Sequence, residues 1–336
     1  MIELLKHLTS LDGVSGDEGS VADFITEQID GYCEWKKDSL GNIIAFKKGK
    51  NRSEVKLMVD AHTDEVGLII TEITKDGFLK FKTVGGIETE ILLSSRVRIN
   101  GSIIGVIGSK PIHLQKKAES EKLPEVSSLY IDIGLSDKAE AEKIVSLGDR
   151  AVLLDKYTET ENTILSKALD DRIGCAILIS LLKNESEYDF YASFTVQEEL
   201  GLRGARTAAY DINPQAAIVL EGTTAADIAD VPRENQVANL GKGVAVSFMD
   251  RATSYDRAYY DAAINSSVTC QPKRAVAGGN NSGAVHLSRE GVRTLALSVP
   301  CRYIHSQSSV CDKRDIASAK QLAVYMINGI CGGKIK

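Results

Sequence analysis

Histidine and carboxylate side chains stand where several predicted strands of this chain end. Runs of apolar residues predict strands at 54–61, 189–197, 215–220 and 292–299. The polar residues that follow these runs are His62 and Asp64, Glu198 and Glu199, Glu221 and, a little further on, His305. Asp170 and Asp171 open a predicted helix after the extended stretch T-I-L-S-K-A-L. In open α/β sheets, ligands bind beyond the carboxyl ends of the strands, so we expect these side chains to meet at one rim.

Such a cluster suits divalent metal ions. Imidazole and carboxylate ligands without thiolates are typical of sites for zinc, cobalt or manganese. Glu198 and Glu199 are adjacent, and their charges repel each other unless cations lie nearby. A pair of divalent ions supplies that counter-charge and lets several carboxylates ionise together.

Each residue also has a simpler explanation when it is taken alone. A histidine at a strand end, such as His62, is often only hydrogen-bonded, and Asp170 with Asp171 forms an ordinary helix N-cap pair. Glu221 precedes a glycine, as loop carboxylates do, and His305 lies in a polar loop that solvent can reach. The occurrence of five such positions after separate elements favours a shared site.

The elements that carry these residues alternate between helix and strand from about residue 164 onward. This alternation, with nearly continuous apolar strands, predicts an α/β domain with a mostly parallel sheet and helices on both faces. Residues 67–163 instead show half-exposed strands and a hairpin that turns at Asn100 and Gly101. We therefore predict one domain from 1–66 and 164–336, interrupted by a small β-rich inserted domain at 67–163.

A helix start is predicted at the segment 15–18. Ser15 and Glu18 have the S-x-x-E spacing of a capping box, in which each side chain bonds to the backbone N–H of the other residue. The run V-A-D-F-I-T-E-Q-I follows, with apolar residues at helical intervals. The sequence therefore predicts that Ser15 and Glu18 stabilise the start of this helix.

The composition excludes several classes of protein. The chain has 336 residues, of which 43% are hydrophobic and 26% are charged, as in globular domains. The net charge is −6 without a basic run, which argues against partners such as nucleic acid or a membrane surface. No apolar stretch is long enough to span a membrane and the N-terminus lacks signal-peptide features, so we expect a cytoplasmic protein. The six cysteines are scattered without a C-x-x-C pair and are expected to be reduced.

Five motifs, in order along the chain, resemble those of a known enzyme family. They are A-H-T-D-E at 61–65, A-L-D-D-R-I-G at 168–174, Q-E-E-L-G-L-R-G-A at 197–205, L-E-G-T-T-A-A-D at 220–227 and P-C-R-Y-I-H-S at 300–306. The segments at 108–115 and 130–134 also resemble the inserted domain of that family. The chain resembles the tetrahedral aminopeptidases, dinuclear metallopeptidases that include glutamyl and deblocking aminopeptidases. The resemblance covers essentially the whole chain.

The resemblance implies a role for each site residue. The implied metal ligands are His62 and Glu221 on the first ion, Glu199 and His305 on the second, and Asp170 between the two. Asp64 would hold the other nitrogen of His62 as a supporting residue. The peptide bond between Asp170 and Asp171 is often cis in such enzymes.

The resemblance also implies a reaction and an assembly. Two metal ions, zinc or cobalt with manganese as an alternative, would share a water and lower its pKa. Glu198 would take the proton as general base, and the bridging hydroxide would attack a peptide that has a free N-terminus. Members of the family commonly form homo-oligomers, dodecamers assembled from dimers, in which the inserted domain makes the dimer contact. His113 lies in that domain and is expected to be structural or interfacial.

Three residues depart from the pattern of the family. Glu221 stands where many relatives carry aspartate, so metal occupancy or preference is expected to differ. Asn281 replaces an aspartate that is common in the motif G-G-T-D-A-G, which removes a negative charge near the expected site and leaves the substrate preference open. Thr63 replaces a methionine, and its side chain is expected to point away from the metals.

Two alternative functions stay open at this point. Relatives have been labelled endoglucanases, but a glycoside hydrolase needs two carboxyl groups about 5–9.5 Å apart on either side of a sugar. Such enzymes usually also have aromatic platforms, and this chain has one tryptophan. The other alternative, a non-catalytic assembly protein on the same scaffold, would be expected to have lost metal ligands, and all of them are present. The sequence names neither the preferred N-terminal residue nor the native metal.

Overall fold

Two β structures organise the chain, an open sheet of 11 strands and a closed barrel. The structure is a computed structural model that describes residues 1–117, 121–276 and 278–336. The described strands are β1 (Glu34–Lys37), β2 (Ile43–Lys47), β3 (Leu57–His62), β4 (Gly67–Ile73), β5 (Leu79–Val84), β6 (Arg96–Ile99), β7 (Ile103–Gly108), β8 (Tyr130–Asp132), β9 (Arg150–Leu153), β10 (Thr158–Glu159), β11 (Thr163–Ser166), β12 (Phe190–Thr195), β13 (Ala216–Thr224), β14 (Val244–Val246), β15 (Cys270–Pro272), β16 (Arg293–Arg302) and β17 (Ser309–Asp312).

The helices pack mainly against the open sheet. Those in the described ranges are α1 (Ile2–Ser10), α2 (Gly19–Ile29), α3 (Thr89–Leu92), α4 (Lys138–Ala141), α5 (Leu169–Lys183), α6 (Arg203–Ile212), α7 (Arg257–Ile264), α8 (Ser282–Val285) and α9 (Lys313–Cys331), with 3₁₀ turns at Ile112–Leu114, Val126–Ser128 and Arg233–Asn235. In α9, buried residues recur at helical intervals, so one face of the helix packs on the core. None of these helices is long and apolar enough to cross a bilayer.

The open sheet is mixed, which corrects the prediction of a mostly parallel sheet. Parallel pairing joins the central strands in the order β12, β3, β13 and β16. The strands that flank this centre, β2 and β17, pair antiparallel with it. The pairs β1–β2, β10–β11 and β16–β17 are neighbours in sequence, and short connections can join only antiparallel strands. The sequence pattern therefore describes the centre of the sheet but not its edges.

Helices cover both faces of the open sheet, as the sequence predicts. Alternate residues of β3 point to opposite sides, because side chains alternate along a strand. Leu57 and Val59 belong to the core that includes α1, α2, α5 and α9, whereas Met58 packs with apolar residues of α6 on the other face. The carboxyl end of β3 is thereby held between two layers.

A separate barrel is formed by strands β4, β5, β8, β7, β6 and β9. It has its own hydrophobic core, and its β6–β7 hairpin turns at Asn100 and Gly101, both with positive φ, as predicted. A small cluster of Val14, Val84 and Val152 lies where the barrel meets the rest of the chain. The last barrel strand ends at Leu153, and β10 already belongs to the open sheet. The division of the chain into 1–66 with 164–336 and 67–163 stays a prediction.

The predicted capping box is wrong. Helix α2 begins at Gly19 without a side-chain cap. The Ser15 hydroxyl instead donates to Asp64 Oδ2 at 2.5 Å. The Glu18 carboxylate accepts from the N–H groups of Gly16 at 2.7 Å and Gln197 at 3.1 Å. Ser15 therefore bonds to a residue after β3, and Glu18 bonds to the backbone of nearby Gly16 and of Gln197, which follows β12.

Candidate metal centre

Six side chains predicted from the sequence line one cavity of about 280 Å³. They are His62, Asp170, Glu198, Glu199, Glu221 and His305. The parallel strands bring them together, since His62 ends β3 beside Thr195 at the end of β12, and β13 carries Glu221. Carboxyl ends of parallel strands lie at the same edge of a sheet, so residues far apart in sequence face one space.

Two of the strands that carry the site are longer than predicted. β13 continues to Thr224 and β16 to Arg302, because the two strands stay paired from Ala216 with Arg293 to Thr224 with Cys301. Glu221 is therefore a strand residue with its backbone held by β16, rather than a loop carboxylate.

His62 meets two carboxylates at distances that fit a shared ion. Its Nε2 atom lies 3.5 Å from Asp170 Oδ1 and 3.7 Å from Glu221 Oε2, longer than a good hydrogen bond. Ligand atoms around a tetrahedral zinc ion, each about 2.0–2.2 Å from it, stand roughly 3.4 Å apart. Each carboxylate oxygen therefore lies at a distance from His62 Nε2 that fits two ligands of one divalent cation.

Asp170 lies between the two histidines of the cluster. Its Oδ1 faces His62, and its Oδ2 lies 3.8 Å from His305 Nε2, which in turn lies 3.0 Å from Glu199 Oε1. The Gly222 N–H donates to Asp170 Oδ1 at 3.1 Å, and a Cβ at Gly222 would come within 2.8 Å of that oxygen. The Asp170 carboxylate is therefore held with one oxygen near each imidazole.

The peptide bond between Asp170 and Asp171 is cis, as the resemblance implies. Asp171 accepts hydrogen bonds from the N–H groups of His62 at 3.2 Å and Gly174 at 2.9 Å. Its ligand atom also falls within 4.8 Å of those of His62 and Glu221. Because both Asp171 oxygens already accept from backbone N–H groups, Asp170 fits the role of ligand better.

Asp64 does not line the cavity but lies buried next to residues that do. It is fully buried, with Oδ1 3.3 Å from His62 Nδ1, although the two atoms are not aligned as a hydrogen bond. It accepts from the N–H groups of Glu198 at 2.9 Å and Glu199 at 3.1 Å. Burial acts to raise the pKa of Asp64, but the neighbouring His62 lowers it overall. One carboxylate thus lies beside the imidazole and accepts hydrogen bonds from the backbone of the two glutamates.

The cluster carries more acid than its histidines balance. Burial raises the pKa of Glu198 to about 8, and repulsion from Glu199 and Asp170 adds to the increase. Burial also raises the pKa of Glu221 well above its usual range. The pKa of His305 rises to about 9, because the carboxylate of Glu199 outweighs the opposing effect of burial. A divalent cation would neutralise this excess and let the carboxylates ionise.

The chain also matches known proteins along nearly its whole length. Residues 41–322 match the family described as M42 glutamyl aminopeptidase. The chain belongs to this family. A lysyl aminopeptidase of Pyrococcus furiosus is 34% identical over 341 residues, covering 97% of this chain and 96% of its own. A protein of Acetivibrio thermocellus is 36% identical over 335 residues, covering 97% and 98%. The resemblance to the tetrahedral aminopeptidases is thereby confirmed.

Solved structures of similar proteins share the fold of this M42 chain. An aminopeptidase from the archaeon Desulfurococcus kamchatkensis has a TM-score of 0.94 at 35% identity, over 100% of this chain and 96% of that one. The TET1 peptidase of Pyrococcus horikoshii, described as able to assemble into a tetrahedron or a large octahedral shell, has a TM-score of 0.84 at 31% identity over 96% and 98%. A Thermotoga maritima protein described as an endoglucanase has a TM-score of 0.82 at 36% identity over 99% of both chains. The mixed α/β fold is that of aminopeptidases.

A polar network beneath His62 was missed by the sequence reasoning. Asp60, fully buried in β3, accepts from the Ser193 hydroxyl and from Asn281 Nδ2 at 2.8 Å. Burial raises the pKa of Asp60 to about 6. Asn281 therefore pairs with a carboxylate below the cavity and does not line it, and an aspartate there would face Asp60 with a second acid. The signal in the sequence is an acid inside the apolar run L-M-V-D-A-H.

Buried ion pairs brace the other side of the M42 site and were also missed. Lys167 Nζ lies 2.6 Å from Glu65 Oε1, and Arg172 Nη2 lies 3.2 Å from the same oxygen, with all three side chains buried. Arg172 Nε also donates to the Thr63 carbonyl at 2.9 Å. The Thr63 hydroxyl donates to the Thr195 carbonyl at 2.9 Å, away from the cavity as predicted. These contacts hold both ends of the segment that carries Asp170.

Proposed function

We propose that this chain is a metal-dependent aminopeptidase that holds two divalent ions and removes N-terminal residues from peptides. The observation that carries the proposal is the position of Asp170, whose two oxygens face His62 and His305 respectively. A carboxylate between two imidazoles divides the cluster into two binding positions. His62 with Glu221 would hold one ion, and Glu199 with His305 would hold the other.

The donor set limits which ions fit. Imidazole nitrogen and carboxylate oxygen suit zinc, cobalt and manganese, and no cysteine is among the described residues that line the cavity. We expect zinc or cobalt first, with manganese as the alternative. Glu221 is one methylene longer than the aspartate of many relatives, yet its Oε2 lies near enough to His62 for both to reach one ion.

We infer that Glu198 moves protons during the reaction. When bound, two such ions would lower the pKa of a water molecule and polarise the scissile carbonyl. Glu198 lines the same cavity, and the resemblance gives it the role of general base rather than that of a ligand. Nearby cations would lower its raised pKa, so the group can accept a proton near neutral pH and return it to the leaving amine.

We expect the substrate to have a free N-terminus, because the chain belongs to a family of aminopeptidases. The volume of about 280 Å³ lies at the small end for ligand sites, which suits the end of a peptide rather than a folded chain. We therefore expect exopeptidase activity on peptides.

We further propose that the chain forms a homo-oligomer, dimers that assemble to a dodecamer. The support is the similarity to TET1 and the barrel surface, where Ile104 and Val106 of β7 are 42% and 44% exposed. Exposed apolar residues on a strand often mark contact surfaces. His113 lies on the same part of the chain and stays a predicted structural or interfacial residue. The cytoplasmic location also stays a prediction.

A glycoside hydrolase is the second candidate, because one similar structure is described as an endoglucanase. The cavity argues against it. Its carboxylates surround two histidines, and no Trp, Tyr or Phe is among the described residues that line it. A sugar-binding site usually offers an aromatic surface, so the peptidase is the better supported of the two.

The deciding experiment combines metal removal with two substrate classes. Purified protein is made metal-free by chelation, then assayed with zinc, cobalt or manganese on aminoacyl-p-nitroanilides, on their N-acetylated forms and on a soluble glucan. We expect cleavage of the free-amine anilides only, restored by metal and proportional to metal content. Glucan hydrolysis that survives chelation, or equal cleavage of N-acetylated anilides, would overturn the proposal.

A further inference from the structure

Side chains from distant segments hold the backbone of the turn that carries Glu198. The N–H groups of residues 196–199, which follow β12, all donate to side-chain acceptors. In chain order the acceptors are Asn42 Oδ1 at 3.0 Å, Glu18 Oε1 at 3.1 Å, Asp64 Oδ1 at 2.9 Å and Asp64 Oδ2 at 3.1 Å. Side chains, rather than the N–H and C=O groups of a neighbouring strand, therefore fix these N–H groups around the proposed base.

The carbonyl groups of the same turn are bonded to the segment that leads into α6. The N–H groups of residues 202, 203 and 204 donate to the carbonyls of residues 198, 197 and 196, at 2.9, 3.2 and 3.0 Å respectively. Every N–H and C=O group from Val196 to Glu198 thus has a partner in the protein. Removal of one side-chain acceptor would leave one identified N–H group unpaired, which costs free energy in a buried site.

The backbone of Gln197 is in an unfavourable conformation. Its φ is +55°, in the left-handed region that residues other than glycine seldom adopt. Such a conformation persists only where the surrounding structure holds it. Gln197 immediately precedes Glu198, so a change in its dihedral angles would turn the Glu198 side chain in another direction. The contact that holds the Gln197 N–H is therefore important for the position of the base.

That contact explains why Glu18 is buried. Glu18 is 7% exposed, does not cap α2, and forms no ion pair within the described part of the chain. A buried carboxylate without a cation is costly unless hydrogen-bond donors satisfy it. Its donors are the N–H groups of Gly16 at 2.7 Å and of Gln197 at 3.1 Å. Hydrogen bonds from backbone N–H groups to an ionised carboxylate are stronger than those between neutral groups.

We propose that Glu18 is a positioning residue, whose carboxylate holds the Gln197 N–H and thereby directs the Glu198 side chain into the cavity. This rests on the proposed function, in which Glu198 moves the proton. Glu18 is not among the described residues that line the cavity, so it acts through the backbone. A general base must lie within hydrogen-bond reach of the proton that it takes, so a small rotation at Gln197 is enough to impair it.

The test compares wild type with Glu18→Ala and Glu18→Gln under one metal condition. Glu18→Ala leaves the Gln197 N–H unpaired, and we expect kcat to fall by about 10- to 100-fold, as small misplacements of catalytic groups do. KM and metal content should stay within about threefold, since no ligand and no lining residue is changed. Glu18→Gln retains an oxygen that can accept from the same N–H, so its kcat should stay within about threefold of wild type.

The matched control is Asp17→Ala. Asp17 is the exposed neighbour of Glu18, and its side chain makes no contact within the described residues. The variant removes the same charge next to Glu18, so an effect of net charge would appear there too. Three results would overturn the proposal: loss of metal in proportion to activity in Glu18→Ala, a rise in KM at unchanged kcat, or the same fall in kcat for Glu18→Gln.

A second background tests the role of the Gln197 conformation. Glycine adopts a φ near +55° at little cost, so in Gln197→Gly the turn can keep its shape without Glu18. We therefore expect Glu18→Ala to lower kcat by less than about threefold in that background. A loss as large as the one with Gln197 in place would contradict the proposed route from Glu18 to the base.

Hydrogen exchange separates this proposal from the proposed function. Amide exchange of the protein as purified is followed by mass spectrometry on peptides that cover residues 196–199. One amide should exchange about 10-fold or more faster in Glu18→Ala, and at the wild-type rate in Glu18→Gln and Asp17→Ala. If this amide responds while wild type cleaves no anilide, the proposed reaction is wrong and the contact with the turn is right. Unchanged exchange in Glu18→Ala would refute the contact.

Discussion

The two halves of the candidate metal centre differ in how firmly the protein holds them. The His62 side chain is 1% exposed at the end of a central strand, with Asp64 and the Asp60 network behind it. The His305 side chain is 34% exposed, in the loop between β16 and β17. A rigid, buried position needs no ordering when an ion arrives, whereas a loop position does. We therefore expect the His62 half to bind its ion more tightly.

The largest effect should come from the residue that both halves share. Asp170→Asn removes the carboxylate charge between the histidines, and we expect loss of both ions and a fall in activity of roughly 10³-fold or more, about 4 kcal/mol. Metal content by mass spectrometry and kcat/KM on a free-amine anilide measure this. Asp261→Asn, on the exposed helix α7, is the control. Retention of one ion at full occupancy would show that the halves do not share a ligand.

Glu198→Gln should separate chemistry from metal binding. The variant keeps the shape of the side chain but cannot accept the proton, so kcat should fall by about 10²- to 10⁴-fold. Both ions should remain, because Glu198 is the proposed base and not one of the proposed ligands. Near wild-type kcat with a full complement of metal would assign the base to another residue.

The comparison of the halves is tested directly with His62→Ala and His305→Ala. Titration of the loaded wild-type protein with a chelator should release metal in two steps, with affinities about 10-fold or more apart. His305→Ala should lack the weaker step and His62→Ala the stronger one. The reverse assignment would contradict the view that burial and support decide affinity here.

Asp64→Asn should weaken the firm half without removing a ligand. Changing a residue that orients a metal-bound histidine typically costs about 10- to 100-fold in metal affinity. The tighter step of the chelator titration should move toward the weaker one, while the weaker step stays in place. Ser15→Ala, which removes only one donor to Asp64, is the milder comparison and should move the tight step less.

The smallest effect concerns pH and the metal-free protein. The pKa of Glu198 rises from 4.5 to about 8 on folding, so its contribution favours folding below about pH 4.5. That contribution is lost as the pH rises through about 8, because the buried group must then ionise. The Tm of metal-free protein should fall between pH 5 and 8, and Glu198→Gln should reduce the slope. If Tm falls equally steeply with pH in Glu198→Gln, the pH dependence comes from the ionisation of another group.

Much of the site could be predicted from the sequence, because the end of a strand can be recognised from the residues around it. Apolar runs that stop before His62 and Glu198 mark the rim, and the turn at Asn100 follows from residue type alone. The predictions were wrong where contacts with distant segments replaced the local hydrogen bonds that the pattern suggests. Ser15 and Glu18 have a capping spacing, yet they serve Asp64 and the backbone of Gln197.

The sequence by itself determined which ligand types stand at which strand ends, since period and residue type are local properties. Only the tertiary structure decided that the Asp170 oxygens face two different histidines, and that Asn281 meets Asp60 rather than the cavity. It also decided that Lys273 lines the cavity. The physical reason is that partners are chosen by packing between segments far apart in the chain, which no local pattern records.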